Sequence, residues 1–62
     1  MFNLNLCELR KINKITQKQL ADKLGVSHKT VSHWEKGYTE PSLGQLKEIK
    51  ILFNVSYEDL LD

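Results

Sequence analysis

A chain of 62 residues makes one domain, and at that length only about 60% of the unfolded surface is buried, which leaves no room for a deep catalytic cavity. An ordinary apolar content argues against a disordered tail, and a single cysteine rules out an internal disulfide framework. No run approaches the ~20 apolar residues of a membrane span, and the start MFNLNLCELRK lacks the basic lead and apolar stretch of a secretion signal, so a reducing cytoplasm is the expected setting.

The net charge of +1 conceals an asymmetry. Residues 1–39 carry seven basic groups against three acidic ones, a surplus of +4, while residues 40–62 set Lys47 and Lys50 against Glu40, Glu48, Glu58, Asp59 and Asp62, a balance of −3. The first part suits a polyanion, although a chance fluctuation on a solvated surface gives the same balance.

Strand signals are poor and helix punctuation is abundant, so the expected class is all-α, with five short helices. The first helix is expected over about residues 5–13, with Asn3 or Asn5 as cap and Leu6, Leu9 and Ile12 as its apolar stripe. The second starts at Thr16, with Gln19 at capping-box spacing; Leu20, Ala21 and Leu24 form its stripe and Gly25 its stop. Ser27 caps the third, whose apolar positions are Val31 and Trp34, and Gly37 ends it. After the loop YTEPS, Ser42 caps a fourth helix with Leu46, Ile49, Leu52 and Phe53 on its buried side and Asn54 at its end. Ser56 caps a fifth, YEDLLD, with Glu58 and Asp59 near its N-terminus, where the helix dipole favours them.

At about 100° per residue, the third helix puts Val31 and Trp34 on a narrow edge and His28, Lys29, Ser32, His33 and Lys36 on a broad polar face. The connection GVS between the second and third helices forces them to cross steeply, and Ala21 lets their backbones approach. The second helix of such a pair projects as a rod that fits the major groove of duplex DNA.

The stretch TQKQLADKLGVSHKTVSHWEKGYTEPSLGQL resembles the helix-turn-helix domain of phage Cro and lambda-type repressors and their bacterial relatives. The matching features run in order: LRK in the first helix, TQ..LA..LGVS across the second, TVS.WE.G in the third, PS before the fourth and NVS..DLL at the end. The resemblance implies a single five-helix domain over residues 1–62, with a helix-turn-helix core at 16–36. It implies a double-stranded DNA operator of two-fold symmetry as partner, a homodimer as the binding species, and a bacterial or phage-encoded repressor as the molecule. By the same resemblance His28, Lys29, Ser32 and His33 face bases or the adjacent backbone. Thr16, Gln17, Lys36, Tyr38 and Thr39 touch phosphates, Gln17 also braces the third helix, and Arg10 pairs with Glu35. Ser42 and Leu43, opening the fourth helix, add N–H groups suited to a phosphate on general grounds.

Three positions depart from the family pattern, the first being His28, where relatives often carry Gln or Arg, so that the resemblance leaves its base open. Lys50 stands where relatives carry a small buried residue, and Ile51 where a charge is usual. The dimer contacts are therefore sought at Ile51, Val55, Tyr57 and Leu61. His28 and His33 lie about 140° apart on their helix, a poor geometry for one metal ion, and Cys7 lacks the company of a nucleophile. No cofactor, metal, small-molecule ligand or enzymatic activity is expected. A binding module for another protein, such as an antitoxin, is the alternative within the same fold. Lys11, Lys14 and Lys18 read most simply as solvated charges.

Overall fold

The computed structural model describes residues 4–61. Five helices follow in order: α1 (Leu6–Ile12), α2 (Gln17–Leu24), α3 (His28–Lys36), α4 (Leu43–Phe53) and α5 (Tyr57–Leu60). Leu6, Leu20, Ala21, Val31, Trp34, Leu46, Ile49 and Leu60 form one buried cluster to which every helix contributes. The expected core positions of α2 and α3 are all in place: Leu20, Ala21, Val31 and Trp34 are buried, and Leu24 packs against them. Among the described residues no helix is long and apolar enough to cross a membrane.

Two expected apolar assignments need correction, and one core residue must be added. Ile12 is 74% exposed and Leu52 38% exposed, although both were placed on buried stripes. The cause is the same in each helix. Two successive three-residue steps fall about 120° short of the starting direction. Leu6 and Leu9 therefore share a face with Arg10 rather than with Ile12, and Leu46 and Ile49 share theirs with Phe53 rather than with Leu52. The added residue is Leu60, which is fully buried and was not assigned to the core.

The helix stops follow one design. Lys14, Gly25, Gly37 and Asn54 all adopt the left-handed conformation, with φ of 57°, 70°, 77° and 54°. Beyond each, a backbone N–H reaches back five residues: Ile15 to Arg10, Val26 to Ala21, Tyr38 to His33 and Val55 to Lys50, at 2.9 to 3.1 Å. This is the paired-bond helix terminus in which an apolar side chain just past the bend packs back on the helix. Ile15, Val26 and Val55 pack so against the core, whereas Tyr38 stays 68% exposed.

The starts are capped as the hydroxyls predict at Thr16, Ser27, Ser42 and Ser56. The start of α1 is not. Asn3 lies outside the described residues, and Asn5 makes no side-chain cap. Its ψ of 26° is not the extended shape that aims a capping oxygen back at the helix. Instead, Asn5 Nδ2 donates to the Asp59 carbonyl (3.2 Å) and Asn5 N–H to that of Leu60 (2.9 Å). Beside them Leu4 and Leu61 form an antiparallel bridge, so the segment before α1 and the segment after α5 are tied together. This also shortens the expected fifth helix, because Leu61 has left the helix for an extended conformation; Asp62 lies outside the described residues.

Candidate nucleic-acid interface

The unit that positions the site is α2, the bend at Gly25, and α3. Ala21 is 1% exposed and lets the two helices approach. Val31 and Trp34, 0% and 4% exposed, anchor the inner edge of α3 in the core. The opposite face is thereby turned outward, with His28, Lys29 and Lys36 exposed and Ser32 and His33 half-buried. His33 is partly covered by Tyr38, whose ring centre lies 5.4 Å from its own at 59°. The Lys36 ammonium approaches the same tyrosine ring at 5.8 Å. The loop after α3 is thus tied to the helix it follows.

A chain of polar contacts fixes α3 from behind. Arg10 Nε donates to Glu35 Oε2 at 2.8 Å and Arg10 Nη2 to Oε1 at 3.3 Å, while Nη1 donates to the Ile15 carbonyl at 3.0 Å. Gln17 Nε2 donates to the same Glu35 Oε1 at 2.9 Å, and Gln17 Oε1 meets His28 Nε2 at 2.8 Å. The expected Arg10–Glu35 pair is therefore present, on side chains 13% and 7% exposed. Burial pushes the Glu35 carboxyl up, but hydrogen bonds from Arg10 and then Gln17 outweigh it and hold the group below its usual range. The hydrogen bond to Glu35 raises the Arg10 guanidinium correspondingly.

The helix starts need one correction. The Ser42 N–H was expected to be free for a phosphate, but Gln45 Oε1 accepts it at 2.7 Å. The Thr16 N–H is likewise taken by Gln19 Oε1 at 2.8 Å. Each capping box closes on itself because the third helical residue is a glutamine long enough to reach back. What remains is each hydroxyl proton, since Thr16 Oγ1 and Ser42 Oγ only accept from the backbone. The first two N–H groups of each helix also remain, with Leu43 N–H among them. Thr39, Ser42 and Leu43 are exposed.

Sequence reasoning missed one feature of this face. Lys11, Lys14 and Lys18 do not scatter; with Arg10, Thr16, Gln17 and His28 they line one open groove of about 570 Å³ at the start of α2. The left-handed bend at Lys14 turns the chain between the helices and so gathers the three lysines. The only sequence signal was their three- and four-residue spacing, which the bend interrupts.

The dimer candidates divide. Ile51 is 67% and Tyr57 43% exposed, whereas Val55 and Leu61 already pack against the core. Lys50 is half-buried, with its ammonium 4.7 Å from the centre of the Tyr57 ring. Among the described residues no three metal-binding side chains come together.

The helix-turn-helix family model matches residues 8–60. The chain belongs to the Cro/C1-type helix-turn-helix family. It is 42% identical over 60 residues to the HTH-type transcriptional activator BcrR of Enterococcus faecalis, covering 97% of this chain and 29% of BcrR. It is 39% identical over 61 residues to the uncharacterized HTH-type transcriptional regulator YqaE of Bacillus subtilis, covering 98% of this chain and 53% of YqaE. With the uncharacterized HTH-type transcriptional regulator MJ0272 of Methanocaldococcus jannaschii the identity is 43% over 51 residues, 82% of this chain and 77% of the relative. The chain thus spans about half or less of the first two. Family and relatives are described as helix-turn-helix transcriptional regulators, which are not enzymes.

Proposed function

We propose that this chain is a sequence-specific regulator of transcription that seats α3 in the major groove of double-stranded DNA. The observation that carries the reading is the pairing of an outward face at His28 and Lys29 with a brace behind it, from His28 through Gln17 to Glu35 and Arg10. A surface of solvated charges needs no such brace, whereas a reading helix must be held in one orientation to discriminate bases. The names of its relatives support the same reading.

In this reading Lys29 donates to guanine acceptors and His28 meets a neighbouring base edge. Ser32 and His33, half-buried, serve the adjacent base or backbone. Phosphates are held by the hydroxyls of Thr16 and Ser42, by Gln17, Lys36, Tyr38, Thr39 and the Leu43 N–H, and by the lysines of the α2 groove. One helix reads too few base pairs for useful discrimination, so the binding species is a homodimer on a two-fold operator. Ile51 and Tyr57 form the centre of its contact, with Val55 and Leu61 contributing only their exposed edges. Occupancy of a promoter excludes polymerase, and repression is the direction we favour, although BcrR is named an activator. The site of action is the cytoplasm of the bacterial or phage-infected cell that holds the operator.

A protein-binding module is the second reading. It draws support from the open groove in which the apolar residues Leu24, Ile51 and Leu52 lie beside Asp22, Lys23 and Glu48. Selection from a random duplex library, followed by salt titration, separates the two. The DNA reading expects a selected two-fold site and an affinity that falls steeply with salt. It also expects Lys29→Ala to relax preference at one position of each half-site, at a cost of about 1–3 kcal/mol in discrimination. No selected site, and weak duplex binding at low salt, would overturn it.

A further inference from the structure

We infer that Gln17 sets the tautomer of His28, so that His28 offers Nδ1 as a bare acceptor and selects a base edge carrying an exocyclic amine, adenine N6 or cytosine N4. The inference rests on the DNA reading above and deepens it.

The argument runs outward from Glu35. An ionised carboxylate can only accept hydrogen bonds, and Glu35 Oε1 receives Gln17 at 2.9 Å. The amide of Gln17 must therefore turn its NH2 toward Glu35. Its oxygen then faces His28 Nε2 at 2.8 Å. An amide oxygen also only accepts, so Nε2 must carry a proton. In a neutral imidazole the proton at Nε2 leaves Nδ1 without one. The other charged groups lining the same groove, Arg10, Lys11, Lys14 and Lys18, are donors, so none draws the proton to Nδ1. Among the described residues Nδ1 has no partner, and His28 is exposed at the first position of α3.

The chemical consequence is a filter. In the major groove the exocyclic amines of adenine and cytosine are donors, while guanine N7 and O6 and thymine O4 are acceptors. A bare Nδ1 pairs with the first kind and faces the second kind lone pair to lone pair. An unbraced histidine could rotate its tautomer to suit either. Gln17 is thus a positioning residue: it determines which kind of edge His28 can accept.

The test has two arms. In the free chain, long-range proton–nitrogen correlation spectra are recorded in buffer alkaline enough to keep free imidazole neutral, with His28→Ala supplying the assignment. The Nε2–H form is expected in the wild type, and a mixture of tautomers in Gln17→Met. An Nδ1–H form or a mixture in the wild type would overturn the inference without any DNA present. The second arm uses the duplex selected by the wild type. His28→Ala identifies the pair that His28 reads, and each base of that pair is replaced in turn by an analogue lacking its exocyclic amine or its ring acceptor. Loss of the amine is expected to weaken wild-type binding about fivefold and to leave His28→Ala unaffected. Gln17→Met is expected to bind every duplex less well and to reduce that effect to about twofold or less, with the position read by Lys29 unchanged. Sensitivity to the ring acceptor instead of the amine would overturn the filter and leave the DNA reading intact. Failure to select any duplex would overturn the DNA reading itself, and the spectra would still decide the tautomer.

Discussion

The part of the chain that contains α1, α2 and α3 and the part that contains α4 and α5 are held by different means. In the first, side chains on separate elements join through Arg10, Glu35, Gln17 and His28. In the second, among the described residues, the side-chain hydrogen bonds of Ser42, Gln45, Ser56 and Asp59 stay within their own helix starts; α4 holds to the rest through Leu46 and Ile49, and α5 through Leu60 and the bonds that its Asp59 and Leu60 carbonyls accept from Asn5. Apolar packing tolerates small rotations of a helix, because dispersion has little direction. A bidentate ion pair with an amide bridged to it does not. The difference teaches where orientation matters: the polar chain lies behind the helix proposed to read bases, and the other half leaves Ile51 and Tyr57 exposed, where the dimer contact is proposed.

The sharpest way to break the contrast is Glu35→Ala. It strands the Arg10 guanidinium and frees Gln17, and should cost about 3 kcal/mol in chemical denaturation, far more than an exposed charge deletion. Acid tests the same group. Because the folded Glu35 carboxyl lies below its unfolded value, its contribution is fully present above the unfolded pKa and is lost as pH falls through the folded one. The wild type should therefore lose stability steeply below about pH 4, and Glu35→Gln should show a flatter slope there. Equal slopes would mean that the pair adds nothing beyond geometry.

A smaller effect is expected at Lys14, which holds a left-handed backbone without being glycine. Lys14→Gly should stabilise the fold by about 1 kcal/mol. It should also weaken duplex binding and make its logarithmic salt slope shallower by about 0.9, if this lysine meets a phosphate. A gain in stability with unchanged salt dependence would remove Lys14 from the interface.

The smallest effect on the fold belongs to Ile51→Lys, expected to change monomer stability by less than about 0.5 kcal/mol. Its signature is assembly: sedimentation with operator DNA should shift from two chains per site toward one. An unchanged two-chain complex would move the dimer contact away from α4.

Much of this architecture was legible because it is local. Thr16 with Gln19, Gly25, Ser27, Gly37 and Asn54 each declare a helix end within a few residues, and the α3 wheel separated Val31 and Trp34 from His28 and Lys29. What escaped reading has two causes. Ile12 and Leu52 fitted a three-residue rhythm whose drift is invisible without the neighbouring helix. The lysine groove and the Leu4–Leu61 bridge depend on segments brought together only by folding, and so does the choice of His28 as the point where Gln17, expected to brace α3, meets it. The Ser42–Gln45 box was local and legible, yet it removes an N–H that the helix start alone would offer.

The tie between the start of α1 and the end of α5 has a kinetic meaning. The four helix stops close over five residues, whereas the bond from Asn5 to Asp59 spans 54. Short loops close first because they lose less chain entropy, so the stops can form early and the clasp from Asn5 to Asp59 must wait for the bundle. A contact made after the transition state slows opening without hastening closure. Asn5→Ala should accordingly leave the refolding limb of a chevron unchanged and raise the unfolding limb, which makes the clasp a latch on the lifetime of the folded state.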